Sequence, residues 1–365
     1  MPPKARAPAR QHAERAICAQ HVVKTTLGAR IEASWRTGGA LQWSLRPAAL
    51  LFSTLVATRR TLYRWGWLAS QNLPVPVVVI GNRVVGGAGK TPLTIALVEA
   101  LRAEGWHPGV ISRGHGRRNA SSVLAVQPQS RAENVGDEPL LIQRRTHVPL
   151  WVGRNRVEAG QALLQAHPEV DVLLCDDGLQ HLPLRRNVEI VVFDERGAGN
   201  GWLLPAGPLR EPIRVHSDVP QLVFYNAAHR STDLQGPCGE RQLDRLLSLA
   251  DWWQGGSDSP DPLAELIQRP VLACAGIGQP ERFFEALRQR GLAHLQTLAL
   301  PDHHDFQTAP WPWPADTPDV IVTEKDAVKI DPARLAQDCP GLRLWVAPLT
   351  LKLPPAFIKS VMASL

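Results

Sequence analysis

A strand, a glycine-rich loop and a helix follow one another in VPVVVIGNRVVGGAGKTPLTIALVEAL, residues 75–101. No other stretch constrains the fold as strongly. The apolar run at 75–80 suits a strand buried on both faces. Gly81, Gly86, Gly87 and Gly89 let backbone N–H groups turn inward around phosphate oxygens. The helix that follows adds the positive end of its dipole. Lys90 can reach the outer phosphates of a nucleotide, and the Thr91 hydroxyl can hold Mg²⁺. Pro92 falls in the first helical turn, where no donor is needed. The common pattern G-x-x-x-x-G-K-[ST] is broken once, because Val84 stands at its first glycine. The remaining G-G-A-G-K-T keeps the groups that touch phosphate.

Downstream, short apolar runs alternate with helical stretches. Strands are expected at 75–80, 107–112, 148–153, 171–176, 189–194 and 220–225, with helices at TPLTIALVEALRAEG and RVEAGQALLQAH between them. That alternation implies an α/β fold, a parallel sheet flanked by helices. Residues 226–264 are rich in Gly, Ser, Asp and Pro. A second, smaller α/β unit is expected to follow, with strands at 271–277, 295–300, 319–325 and 342–347 and a helix at 280–291. The division expected is a disordered extension at 1–30, a membrane-associating helix at 31–70, a phosphate-loop domain at 71–235, a connector at 236–264 and a C-terminal domain at 265–365.

Composition narrows the partners. A net charge of +6 and a pI near 9.3 suit a nucleotide or an anionic membrane surface. No nucleic-acid recognition motif accompanies them. The five cysteines are scattered, with no C-x-x-C pair, so neither a disulfide framework nor a zinc site is expected. Between Arg46 and Arg59 lie twelve uncharged, mostly apolar residues, too few for the roughly 20 that span a bilayer. Arg59, Arg60 and Arg64 beside Tyr63, Trp65 and Trp67 have the composition of an interfacial anchor. A helix packed on the protein body explains the same residues, and the two readings suit different faces.

Other motifs carry charge to strand ends. DVLLCDDGLQH ends an apolar strand in Asp176 and Asp177, the setting of a magnesium-holding carboxylate. Adjacent acids at a strand tip face opposite ways, so they should take different roles. NVGDEP offers Asp137 and Glu138, which spacing alone would assign to a helix cap. LPDHHDF holds Asp302, His303, His304 and Asp305. ISRGHGRR and GNGWLLPAGPLREP are basic glycine loops after strands, with Arg113 and Arg210. VIVTEKDAVK, 320–329, reads as a strand-end loop near the base of a nucleotide.

In this order the motifs IGNRVVGGAGKTP, SRGHG, GDEP, DDGLQH, GNGWLLPAGPLRE, AGIGQPERFF, LPDHHDF and TEKDAVK resemble the tetraacyldisaccharide 4′-kinases of lipid A biosynthesis, from about Ile31 to near the C-terminus. DDGLQH followed by LLPAGPLRE is the most specific part. The family's loop has no glycine at the place of Val84. The resemblance implies transfer of the γ-phosphoryl group of ATP to the 4′-hydroxyl of a tetraacyldisaccharide 1-phosphate at the cytoplasmic face of the inner membrane. It implies no obligatory protein partner and no nucleic acid. It would make Val84, Val85, Gly86, Gly87, Ala88, Gly89, Lys90 and Thr91 the ATP-binding loop. Thr91, Asp177, Glu138 and Asp176 would lie near Mg²⁺. Asp137 would be the base, poised by His303, with Lys90 on the transferring phosphate. Arg113, Arg156 and Arg210 would bind the substrate 1-phosphate or the transferring group. His115 stands where the family often has the aromatic residue of S-R-G-Y-G.

Two other readings compete. A phosphate-loop ATPase or GTPase switch of the partitioning or metallochaperone type shares G-G-x-G-K-T. It lacks PAGPLRE and DHH, and the partitioning type has a lysine where Val85 stands. A metal-dependent phosphoesterase built on DHH would need further Asp/His clusters than this chain carries.

Overall fold

A computed structural model describes residues 27–256, 260–308 and 310–365. Most of the expected disordered extension, residues 1–26, lies outside this range. Residues 27–30 already belong to a helix, Leu27–Thr37, and a second helix runs Ala40–Arg64.

The first sheet has seven strands. They are β1 (Val77–Gly81), β2 (Pro108–Ser112), β3 (Leu124–Ala125), β4 (Leu150–Val152), β5 (Val172–Asp176), β6 (Val188–Phe193) and β7 (Gln221–Tyr225). Their spatial order is β3-β4-β2-β5-β1-β6-β7, parallel except for the β3 edge. β1, β2, β5 and β6 are buried along their whole length, as a sheet covered on both faces requires. β1 lies between β5 and β6. The loop after β1 therefore meets the carboxyl ends of β5 and β6, where ligands bind in open α/β sheets.

The residues expected to connect the two units carry structure. They hold β8 (Glu240–Leu243), β9 (Leu247–Ser248) and a helix, Leu249–Gln254. The second sheet adds β10 (Val271–Ala275), β11 (Leu295–Ala299), β12 (Asp319–Thr323) and β13 (Arg343–Ala347), in the order β11-β10-β12-β13-β9. β14 (Leu349–Lys352) pairs with β8. The final helix, Pro355–Met362, returns to the first unit, where Phe357 packs on Phe224 with centroids 5.1 Å apart. Gly/Ser/Pro content hid these short strands because each is stabilised by a partner distant in sequence rather than by local propensity.

The N-terminal helices dock on the body through polar contacts. Arg60 pairs with Glu211 at 2.8 Å. Arg59 donates to the Gln180 carbonyl at 3.1 Å, and the Trp35 indole to the Pro205 carbonyl at 2.9 Å. Arg60 thus turns onto the body, as the packed-helix reading expects, while Arg59 stays exposed and reaches a loop carbonyl. Trp43, Leu50, Leu51, Leu55, Trp65 and Trp67 remain exposed. Positions 43, 50, 51 and 55 share one face of the helix. No helix among the described residues is long and apolar enough to cross a membrane.

Candidate active site

The loop after β1 explains its own valine. Val84 is buried and bridges to Leu209. The Val85 N–H donates to the Pro208 carbonyl at 2.8 Å, and Arg210 N–H to the Arg83 carbonyl at 2.7 Å. The loop's first half is therefore a strand-like stitch to LLPAGPLRE, which favours a β-branched residue over glycine. Glycine is required further on. Gly86 and Gly89 have φ of 94° and 75°, and a Cβ on Gly89 would lie 1.3 Å from Asn226 Nδ2. Lys90, at the start of helix Lys90–Ala103, places Nζ 3.4 Å from Asp177 Oδ1 and 3.4 Å from Asn82 Oδ1.

The two acids after β5 separate as alternation demands. Asp176 ends the strand, fully buried, and accepts from the Thr94 hydroxyl at 3.1 Å. Burial, with Glu138 nearby, pushes its pKa up to about 7. Asp177 leaves the strand at φ 53° and meets Lys90 at 3.4 Å and Arg210 at 3.5 Å. Burial acts to raise its pKa, but Lys90 and Arg210 outweigh that and hold it below the usual range. Among the described residues Asp176 Oδ2 is buried without a hydrogen-bond partner, and buried Asp177 Oδ1 meets Lys90 and Arg210 at ion-pair distance. Carboxylate oxygens at this strand end are a donor set that Mg²⁺ takes together with nucleotide phosphates. No cluster of three or more His, Cys, Asp or Glu suited to a metal occurs among the described residues. A site that draws ligands from substrate does not need one.

A second polar centre joins the two units. Asp137 is the first residue of helix Asp137–Thr146, after Gly136 at the cap, and its Oδ1 accepts from the Glu138 N–H at 3.0 Å. Its Oδ2 lies 2.8 Å from Nδ1 of His303, which is held at φ 60° in the loop after β11. Lys325, from the second unit, stands 3.4 Å from His303 Nε2, 3.3 Å from Glu138 Oε1 and 3.3 Å from Asp302 Oδ1. An ammonium can only donate, so it sets Nε2 as acceptor and leaves the proton on Nδ1, aimed at Asp137. Burial acts to raise the Asp137 pKa. The His303 hydrogen bond and Lys325 overcome it, and the carboxyl is held below its ordinary value. The hydrogen bond to Asp137 in turn raises His303. His115 meets the His303 ring edge-on at 5.9 Å.

Other expected residues disperse. Arg156 is buried and donates to the Asp177 and Arg154 carbonyls, so it supports the strand end from below. Arg113 is exposed, on the side of His181. Of the three, Arg210 is the one whose guanidinium pairs with the Asp177 carboxylate, at 3.5 Å. His304 turns away onto Phe306, centroids 4.7 Å apart. Sequence reading missed Lys325, Asn82, Thr94, Asn226, Asp194 and Arg196. Each owes its place to contacts across the fold, and the strand-end position of Asp194 and the motif around Lys325 were signals.

Between the units lies a cavity of about 290 Å³. The first unit contributes Gly87–Pro92 and Glu138, the second Gln279, Asp302 and Lys325. Ile95, Leu141, Phe283 and Ala347 give part of it apolar walls. A phosphate loop and an apolar slot in one cleft are what a nucleotide needs.

A model of the family described as tetraacyldisaccharide-1-P 4′-kinase matches residues 41–365. The chain belongs to this family. A tetraacyldisaccharide 4′-kinase of Leptothrix cholodnii is 59% identical over 93% of this chain and 96% of its own. One of Methylibium petroleiphilum is 54% identical over 93% and 94%. The crystal structure of LpxK from Aquifex aeolicus in complex with ATP superposes with a TM-score of 0.72 at 26% identity, over 89% of this chain and 99% of that one. The chain is an ATP-dependent kinase on the phosphate-loop fold.

Proposed function

We propose that this chain moves the γ-phosphoryl group of ATP to the 4′-hydroxyl of a tetraacyldisaccharide 1-phosphate, yielding lipid IV-A and ADP. The carrying observation is that the phosphate loop shares one cleft with Glu138, Asp302 and Lys325, and that Lys325 adjoins the Asp137–His303 pair. ATP would lie with its phosphates on residues 84–91 and its base between the apolar walls. The sugar oxygen forms the new bond to the γ-phosphorus while the bond to the β–γ bridging oxygen breaks. Asp137, kept ionised, takes the hydroxyl proton, and His303 orients that carboxylate. Phosphoryl transfer rests mainly on positioning and charge neutralisation, so one oriented carboxylate suffices. Lys90 neutralises the transferring group, and Arg210 stands ready for substrate phosphate. Thr91 with Asp177 or Asp176 would hold Mg²⁺, which when bound neutralises charge on the β- and γ-phosphates. Glu138, paired to Lys325, serves the second centre in this reading.

The exposed helix face of Trp43, Leu50, Leu51 and Leu55, with exposed Trp65 and Trp67 beyond the helix end, supports docking on the cytoplasmic surface of the inner membrane, where the lipid acceptor resides. Arginines that hold the helix to the body leave this apolar face for the bilayer. The test is transfer of label from γ-labelled ATP to the lipid in detergent micelles with Mg²⁺. Label in the lipid supports the reading. Label released only as inorganic phosphate, with or without lipid, contradicts it and favours a switch ATPase.

A further inference from the structure

The turn after β6 reads D-E-R, residues 194–196, and it reaches both the phosphate loop and the second unit. Asp194 is buried, and its carboxylate accepts from the Arg196 backbone N–H at 3.0 Å and from Arg196 Nε at 2.9 Å. So held, Arg196 donates to the Gly87 carbonyl at 3.1 Å and to the Val85 carbonyl at 3.4 Å. A Cβ on Gly86 would touch the same guanidinium at 3.0 Å. From the other unit, Gln279 donates to Asp194 at 3.3 Å and Arg282 pairs with Glu195.

Peptide planarity gives these contacts a consequence. In a trans peptide the carbonyl of one residue and the N–H of the next point in opposite directions. With the Val85 and Gly87 carbonyls fixed on Arg196, the N–H groups of Gly86 and Ala88 are turned away from it. Among the described residues, none of the N–H groups of Gly86, Gly87, Ala88 and Gly89 has a protein partner. They are the donors a phosphate loop offers its ligand. Two asparagines continue the pattern, since Asn82 holds the Gly86 carbonyl at 2.9 Å and Asn226 the Ala88 carbonyl at 3.0 Å.

We infer that Arg196, held by Asp194, is a positioning residue of the phosphate loop, which presets the Gly86 and Ala88 N–H groups for the α- and β-phosphates of the nucleotide. Arg196 is itself exposed, where an unanchored arginine on carbonyls would contribute little. Here the carboxylate anchors it, so less side-chain freedom is lost in making the contact. A glycine-rich loop is also the place where backbone freedom costs most. The inference rests on the nucleotide-binding reading of this cleft.

The test compares binding of ADP and adenosine, by calorimetry with MgCl₂ present, to wild type and to Arg196→Ala, Arg196→Lys and Asp194→Asn. ADP should weaken about tenfold or more in Arg196→Ala, the loss of charge-assisted hydrogen bonds. Adenosine affinity should not change. Arg196→Lys keeps one donor and should recover part of the loss, and Asp194→Asn should lose less than Arg196→Ala. In turnover, the KM for ATP should rise with little change in the KM for lipid. ADP binding unchanged in Arg196→Ala and Asp194→Asn overturns the inference. So does equal weakening of ADP and adenosine, which marks general damage to the fold. A turnover loss with ADP binding intact also overturns it, because Arg196 would then act on the γ-phosphate itself. Failure of the wild type to bind ADP would instead break the nucleotide reading.

Discussion

The two halves of the site are built in different ways. The nucleotide half is local. Residues 75–91 supply strand, loop, Lys90 and Thr91 in one continuous run, and the neighbouring strands β5 and β6 bring Asp177 and Asp194 to it. The acceptor half is assembled from afar. Asp137 comes from the first sheet, and His303 and Lys325 come from the second, meeting only because the units close on each other. A local site survives as long as its own sheet is intact. An assembled site depends also on how the two units sit together, so variants should separate the halves.

The largest effect is expected from the local half. Lys90→Met should lower kcat by about 10³-fold or more, as for loss of a donor aimed at developing charge. Steady-state transfer at saturating ATP measures it. A loss of only a few-fold would remove Lys90 from the transferring group. Next comes the assembled half. His303→Ala should slow transfer by about tenfold, comparable to one charge-assisted hydrogen bond, with ATP affinity unchanged. A double variant with Asp137→Asn should lose no more than Asp137→Asn alone, because the histidine acts through the carboxylate. Additive losses would mean that His303 touches the substrate by itself.

Stability should sharpen the same contrast through pH. Asp137 raises His303 above its usual value. The histidine's contribution is therefore complete below about pH 6.5 and is lost as pH rises through the folded-state value. Asp137 is held below its usual value, so its contribution is present above about pH 4 and is lost as pH falls through the folded-state value. Wild type should exceed His303→Ala most between these limits and least at pH 9, as read by thermal melts across pH. A difference independent of pH would mean the pair contributes packing only. The smallest effect on chemistry belongs to the apolar helix face. Leu50→Glu with Leu51→Glu should reduce flotation with anionic vesicles while leaving transfer in detergent near wild type. Unchanged flotation would remove this face from membrane docking.

What the sequence made legible follows the same divide. The parallel sheet, the phosphate loop and the strand-end acids show in periodicity and glycine spacing, since each depends on neighbours in the chain. Val84 seemed an exception to the loop pattern until its pairing with Leu209 came into view. Spacing alone assigned Asp137 to a helix cap, but Gly136 holds the cap position and Asp137 is the first helical residue. Its second oxygen faces His303, 166 residues away, and only resemblance to a family anticipated that. The sequence left Arg59 and Arg60 open between lipid and the protein body, because arginine beside tryptophan carries no record of which face it turns to. Their partners, Gln180 and Glu211, lie in distant loops. Lys325 lay in a flagged motif, TEKDAVK, but its pairing with the acceptor centre did not show, and Asn226 and Arg196 gave no signal of their own, because their roles come from backbone carbonyls and side chains that tertiary structure brings to them.

The most direct measurement of the account is single-turnover transfer of γ-label from ATP to the tetraacyldisaccharide 1-phosphate by wild type and Asp137→Asn, with ATP affinity measured in parallel. The account predicts that wild type labels the lipid. Asp137→Asn should bind ATP within about twofold of wild type and transfer at least about 10²-fold more slowly, the loss expected for a removed general base. Transfer by Asp137→Asn at the wild-type rate, or a loss of ATP affinity as large as the loss of rate, would contradict it.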